Sequence, residues 1–235
     1  NCIKDWNCET PVQKTVAAGH LFEIDENSPE LDRDRAVKFH SNAARLLFMS
    51  MRTRVDIHVV VSFMMSRAAR ATEQDWIKMD HLMGYLHGTT KLGVKFNAGG
   101  DITPIVYADA SFACHADKTS RTGIVVQIAG GVVSVVSTRQ KLVTRSSAES
   151  ELVALADGTA VGLARRHFMT AQGYQLGPVP LMEDNQACID LGNNGRSTSA
   201  RTRHIDIRYF AVKQHLDSKE FILIYCKTRF HYFNM

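Results

Sequence analysis

The apolar positions of the chain change period near residue 100. In residues 36–51, Val37, Ala44, Leu47, Phe48 and Met51 recur at helical spacing and predict a helix. Thr53 reads as a cap before a second helix over 54–67, although Val59-Val60-Val61 also suits a buried strand. Thr72 and Asp75 have the spacing of a capping box. They open a third helix over 73–87, with Trp76, Ile77, Met79, Leu82, Met83 and Leu86 on one side and Gly88 at its end. A short strand is expected at 92–96. The turn N-A-G-G-D at 97–101 is the best domain boundary.

Beyond that turn the period becomes that of strands. They are expected at 104–109, 122–128 and 132–138, the last two joined at Gly130-Gly131 as a hairpin. A long helix over 146–171 follows, then a strand at 179–183 and a helix after Asn185. A Gly/Ser loop at 192–199, a helix over 202–216 and a strand at 221–226 complete the pattern. The order β-β-β-α-β-α-α-β predicts an α/β domain with a mixed sheet covered by helices. The chain thus divides into an irregular opening segment (1–35), a helical segment (36–100) and the α/β domain (101–235).

Composition changes this picture little. With 45% hydrophobic and 22% charged residues the chain is an ordinary globular protein. Its charge is unevenly placed: residues 195–235 hold eight Lys/Arg against three Asp/Glu, which suits phosphate contacts. Five scattered cysteines lack zinc spacing, so reduced thiols in an intracellular protein are expected. The apolar run 55–65 is interrupted by Asp56, His58 and Ser62 and is too short to span a bilayer.

The candidate chemistry centres on R-S-S-A-E-S-E-L-V-A-L at 145–155. Ser146 as N-cap with Glu149 three residues later fits a capping box, in which Glu149 returns to the N-cap backbone N–H. Glu151 has no such local role and lies about 200° away on the helix, at ~100° per residue. It stands at the edge of the apolar stripe Leu152, Leu155, Ala156, Thr159 and Leu163. Asp109 ends the first strand of the domain and Asp184 follows the fourth. If those strands are neighbours, their C-terminal ends bring both aspartates to Glu151. Three converging carboxylates need cations, and an all-oxygen set selects Mg2+ or Mn2+. Two such ions roughly 4 Å apart would hold the attacking and leaving oxygens of a phosphodiester.

The motifs Y-A-D-A-S, S-T-R-Q-K-L-V-T-R-S-S-A-E-S-E-L-V-A-L-A, E-D-N-Q-A and R-T-R-H-I-D-I-R-Y-F resemble the ribonuclease H segment of Ty1/copia-type retrotransposon Pol polyproteins, over about residues 104–228. The stretch from A-A-R-L-L-F-M-S-M-R-T-R-V-D-I through W-I-K-M-D-H-L-M-G-Y-L-H-G-T is similar to the segment joining reverse transcriptase to ribonuclease H. There the family usually has Arg-Pro-Asp-Ile where this chain has Arg54-Val55-Asp56-Ile57.

The resemblance implies a ribonuclease H-like mixed five-stranded sheet flanked by helices, preceded by a small helical connecting segment. It implies Asp109, Glu151 and Asp184 as metal-binding catalytic acids with two divalent ions. Ser146, Ser147 and Gln186 would touch the minor groove of an RNA–DNA hybrid, read through its 2′-hydroxyls and shape. Arg201, Arg203, Arg208 and Lys213 would contact phosphate. The implied activity is hydrolysis of the RNA strand of hybrids, with the rest of the Pol polyprotein as partner and no membrane. The setting would be intracellular, a cytoplasmic virus-like particle or the nucleus, and not a secreted one. The family continues into a helix bearing a fourth metal-binding aspartate. Here R-F-H-Y-F-N-M follows Thr228, so the domain is expected to lack its last helix. The alternative is a retroelement remnant that keeps the fold and binds nucleic acid without cleavage. An integrase is disfavoured, because the acids run Asp, Glu, Asp.

Overall fold

The computed structural model describes residues 2–6, 12–17, 19, 21–194 and 206–227. It divides into two compact units, one ending at Val94 and the next beginning at Lys95.

The first unit is helical: α1 (Cys2–Trp6), α2 (Arg33–Ser50), α3 (His58–Arg67) and α4 (Glu73–Gly88). Asp32 caps α2, its Oδ1 accepting the Arg35 N–H at 2.9 Å. The helix expected from the apolar period is present, and of the positions that marked it only Leu47 packs against the core. Phe39, Asn42, Ala43, Leu46 and Ser50 are buried, whereas Val37, Ala44, Phe48 and Met51 are exposed. Both sets have helical spacing, so periodicity alone did not distinguish them.

Thr53 is not a cap. Its hydroxyl donates back to Met49 O, and a short 3-10 turn at Val55–Ile57 leads into α3. Val60 and Val61 are buried in this helix, where tertiary burial overrides their β preference. At Thr72 the reciprocal capping box is present, with Asp75 Oδ2 accepting the Thr72 N–H at 3.0 Å. Ile77 is 67% exposed and does not share the core side of α4.

Parts of the opening segment belong to this unit. Trp6 and Leu31 lie in its core, and Leu31 N–H donates to Ala71 O at 2.9 Å. The Arg54-Val55-Asp56-Ile57 stretch is a structural tie. Arg54, nearly buried, donates to both Asp56 carboxylate oxygens and to Thr89 O, while Tyr85 OH donates to Asp56 Oδ2 at 2.9 Å.

The expected strand at 92–96 is absent. Leu92 and Phe96 are exposed, and no neighbouring strand offers this stretch a ladder. The second unit carries β1 (Ile105–Ser111), β2 (Arg121–Ile128), β3 (Gly131–Arg139), α5 (Ser147–Ala171), β4 (Val179–Glu183), α6 (Gln186–Asn194), α7 (Asp206–Asp217) and β5 (Phe221–Tyr225). The sheet order is β3-β2-β1-β4-β5, with β1, β2 and β3 antiparallel and β1, β4 and β5 parallel. This is the expected mixed five-stranded sheet flanked by helices.

The β2–β3 turn uses Ala129 (φ 51°) and Gly130 (φ 77°), one residue earlier than the sequence suggested. Two consecutive positive φ values match the right-handed strand twist, and Gly130 supplies one without strain. The core lies between the sheet and α5, α6 and α7. It is built on Val106, Ala108, Ile124, Val126, Leu152, Leu155, Leu181, Val212 and Phe221. The expected loop at 192–199 is helical to Asn194. Its remainder, the start of the expected helix at 202–205 and residues 228–235 lie outside the described residues.

Candidate metal centre

The register of the two central parallel strands sets the site. Val106 pairs with Leu181 and Tyr107 with Met182, so the same offset places Asp109 level with Asp184. Asp109 does not end β1, which pairs on through Ser111; it lies two residues inside the strand, beside Asp184 just past β4, so both sit toward the C-terminal side of the parallel pair. The third arrives from α5, which packs on β1 through Gly158 and Gly162. Carboxylate oxygens of Asp109, Glu151 and Asp184 all lie within 4.8 Å of one another. Glu151 is 6% exposed, and the two aspartates are half-buried. Asp109 Oδ1 accepts the Ala110 N–H at 2.9 Å, which steadies its side chain.

The start of α5 separates the two glutamates as the spacing suggested, with one difference. Ser146 Oγ accepts the Glu149 N–H at 3.2 Å, but Glu149 Oε2 accepts from Arg145 N–H at 2.7 Å rather than from the N-cap residue. Ser146 and Ser147 are exposed beside this turn. Asn185 caps α6, its Oδ1 accepting the Cys188 N–H at 3.2 Å.

A fourth acid, Glu183, stands beside these three and was not anticipated. Strand alternation places it on the face of Val179 and Leu181, and it is completely buried. Its Oε1 accepts the Asn185 N–H at 3.1 Å; its Oε2 has no hydrogen-bond partner among the described residues, and neither has Glu151 Oε2. The signal was available in the period-two pattern of V-P-L-M-E.

Burial, then the charges of Glu183, Asp109 and Asp184, push the Glu151 carboxyl up to about 10. Burial and the neighbouring aspartates push Glu183 up to about 8, against the Asn185 hydrogen bond. Burial, then Glu183 and Glu151, also raise the Cys188 thiol, so it is inert.

This donor set fits a hard divalent cation. Three clustered carboxylates, one with a buried unpartnered oxygen, are stable together only when protonated or neutralised by a cation. Cys2, Cys114, Cys188 and Cys226 are free thiols, and none belongs to the cluster.

The other predicted residues lie apart from this chemistry or outside the described residues. Gln186 is exposed on the first turn of α6, its Nε2 donating to Asp190 at 3.0 Å. Arg208 pairs with Asp157 at 2.9 Å and Lys213 with Asp217 at 2.6 Å, so both basic groups of α7 have internal acidic partners. Arg201 and Arg203 lie outside the described residues. Among the described residues, no helix is long and apolar enough to cross a membrane.

No protein-family model matches the chain. It is 28% identical over 221 residues, 91% of its length, to the retrovirus-related Pol polyprotein from transposon TNT 1-94 of Nicotiana tabacum, of which it covers 16%. It is 26% identical over 178 residues, 75% of its length, to the retrovirus-related Pol polyprotein from transposon RE2 of Arabidopsis thaliana, of which it covers 12%. The crystal structure of RNase H1 from the archaeon Halobacterium salinarum is similar at a TM-score of 0.36 and 14% identity, over 54% of this chain and 86% of that one.

These two relatives are transposon-encoded polyproteins. They are the retrovirus-related Pol polyproteins of plants, and the chain spans a small fraction of their length.

Proposed function

We propose that the second unit is a metal-dependent ribonuclease H of a retrotransposon Pol polyprotein, hydrolysing the RNA strand of RNA–DNA hybrids. The observation that carries this reading is the convergence of Asp109, Glu151 and Asp184 within 4.8 Å, toward the C-terminal side of two adjacent parallel strands. The polyprotein relatives support the retroelement setting. On this reading the chain would work inside a cytoplasmic particle or the nucleus.

Asp109 would present one carboxylate from β1, Asp184 one from just past β4, and Glu151 a third from α5. Together they would hold Mg2+ or Mn2+, two ions in the full reading. A bound divalent cation supplies positive charge at the scissile phosphate and lowers the pKa of a water at the site. Glu151, held neutral by its burial, would have to release its proton to serve as a ligand. Ser147 and Gln186, exposed on the first turns of α5 and α6, would meet the hybrid's minor groove, with Ser146 beside them. Hydroxyl and amide groups there suit 2′-hydroxyl recognition without base selection. Arg208 and Lys213 would exchange Asp157 and Asp217 for backbone phosphates, an exchange that salt weakens. Arg201 and Arg203 belong to the same basic segment.

The test is cleavage of a labelled hybrid by the purified chain with Mg2+, against the same chain carrying Asp109→Asn. Loss of RNA-strand cleavage in that variant and in EDTA is expected. Cleavage indifferent to both would reject the metal mechanism. Salt-sensitive hybrid binding with no cleavage would replace it with a binding role.

A further inference from the structure

The side of α2 that faces away from its core is apolar as well. Val37, Ala44, Phe48 and Met51 recur at spacings of seven, four and three, the rows of a single helix face. All four are exposed, with Val37 at 64%, Phe48 at 67% and Met51 at 53%. Phe39, Ala43, Leu46 and Ser50 form the buried stripe on the opposite side, with Phe39 roughly 200° from Val37 at ~100° per residue. Single exposed apolar side chains are ordinary. A row of about 21 Å, four members long on one helix, is the mark of an interaction surface.

The borders of the row are basic. No Asp or Glu occurs from Arg35 to Val55. At helical spacing Arg33 and His40 run along one border, and Arg45 and Arg52 along the other, with Asp34 beside them on the helix. The Arg52 guanidinium lies 5.3 Å from the Phe48 ring centroid, so its charge sits on the edge of the row. Arg45 is held in an exposed pair with Asp5 at 2.7 Å. A second copy laid on this row would bring arginine borders against arginine borders, which opposes self-association.

We propose that the outer face of α2 docks an amphipathic helix of another polypeptide, with an apolar seam at matching spacing and Asp/Glu along its flanks. The proposal lies within the first unit and stands apart from the nuclease reading. It is tested on the full chain with a labelled synthetic helical peptide bearing a leucine seam and glutamate flanks, and with a control peptide carrying the same seam and lysine flanks.

The glutamate peptide is expected to bind at least tenfold more tightly than the control. Phe48→Asp should weaken it at least tenfold, with an unchanged thermal midpoint because the site is exposed. Arg52→Glu should narrow or reverse the preference between the two peptides, an effect that lost packing would not produce. Equal binding of both peptides, or binding untouched by Phe48→Asp, would overturn the proposal. So would dimerisation of the free chain, seen by sedimentation and abolished by Phe48→Asp, which would give the row to a second copy.

Discussion

Glu183 is the acid that most strongly perturbs Glu151, and each of the two buries a carboxylate oxygen with no hydrogen-bond partner among the described residues. Burial raises both groups above the ordinary carboxylate range, Glu151 to about 10 and Glu183 to about 8. Between about pH 5 and pH 8 the folded, metal-free chain therefore holds protons that the unfolded chain has released. Stability then falls as pH rises, at up to about 1.4 kcal/mol per pH unit for each group. Urea denaturation in EDTA should show lower stability at pH 8.5 than at pH 5.5, and saturating Mg2+ should flatten the difference. A metal-free chain equally stable at both values would count against this account of the cluster.

Glu183→Gln separates the two acids. The amide keeps an acceptor for the Asn185 N–H, now 3.1 Å from Glu183 Oε1, and removes one ionisable group from the cluster. The metal-free variant is expected to gain about 1–2 kcal/mol at pH 8.5, as relief of a buried charge does. Its slope of stability with pH should be shallower than that of the parent. Denaturation curves at two pH values decide this; a gain equal at both would assign the effect to packing.

These residues also show how far the sequence carried. Asp109 and Asp184 could be placed near strand ends from the expected strand bounds, although β1 runs two residues past Asp109, and Glu151 was separated from Glu149 by helical angle and capping. The pairing of β1 with β4, which makes the aspartates level, is a long-range register that no local pattern encodes. Glu183 was overlooked although period two already set it beside Val179 and Leu181. The buried face of α2 was not legible for a different reason: the helix carries two apolar stripes, and only contact with the other helices decides which is buried. The strand expected at 92–96 had the composition of a strand but no partner edge.

The two glutamates of α5 should respond differently to the same substitution. Glu149→Gln keeps an acceptor facing the Arg145 N–H but removes its charge and the favourable interaction with the helix N-terminus. A loss of about 1 kcal/mol or less is expected, with cation affinity unchanged. Glu151→Gln would remove a proposed ligand and a buried ionisable group together. Metal-free stability at pH 8.5 should hold or rise, while Mg2+ affinity in calorimetric titration should fall at least tenfold. Similar metal affinities for both variants would undo the assignment of Glu151 to the site.

Glu151 reaches the site from α5, which packs against β1 through two glycines. A Cβ added at Gly162 would lie 2.7 Å from Val106 Cγ2 and 3.0 Å from Phe221 Cε1, both in the core. At Gly158 the nearest atom would be Ala108 Cβ at 3.2 Å. Alanine in a helix interior is worth about 1 kcal/mol over glycine, which opposes the steric cost at both positions. Overpacking by a methyl in a filled core costs about 1–3 kcal/mol, and Gly162 meets the tighter contact. Gly162→Ala is therefore expected to destabilise by about 1–2 kcal/mol and to push α5 outward from the sheet. Gly158→Ala should be near neutral. Thermal melts measure the first effect. Mg2+ affinity measures the second, since an α5 displaced at Gly162 would carry Glu151 away from Asp109 and Asp184. A destabilised Gly162→Ala chain with undiminished Mg2+ affinity would show that α5 holds Glu151 in place without this contact.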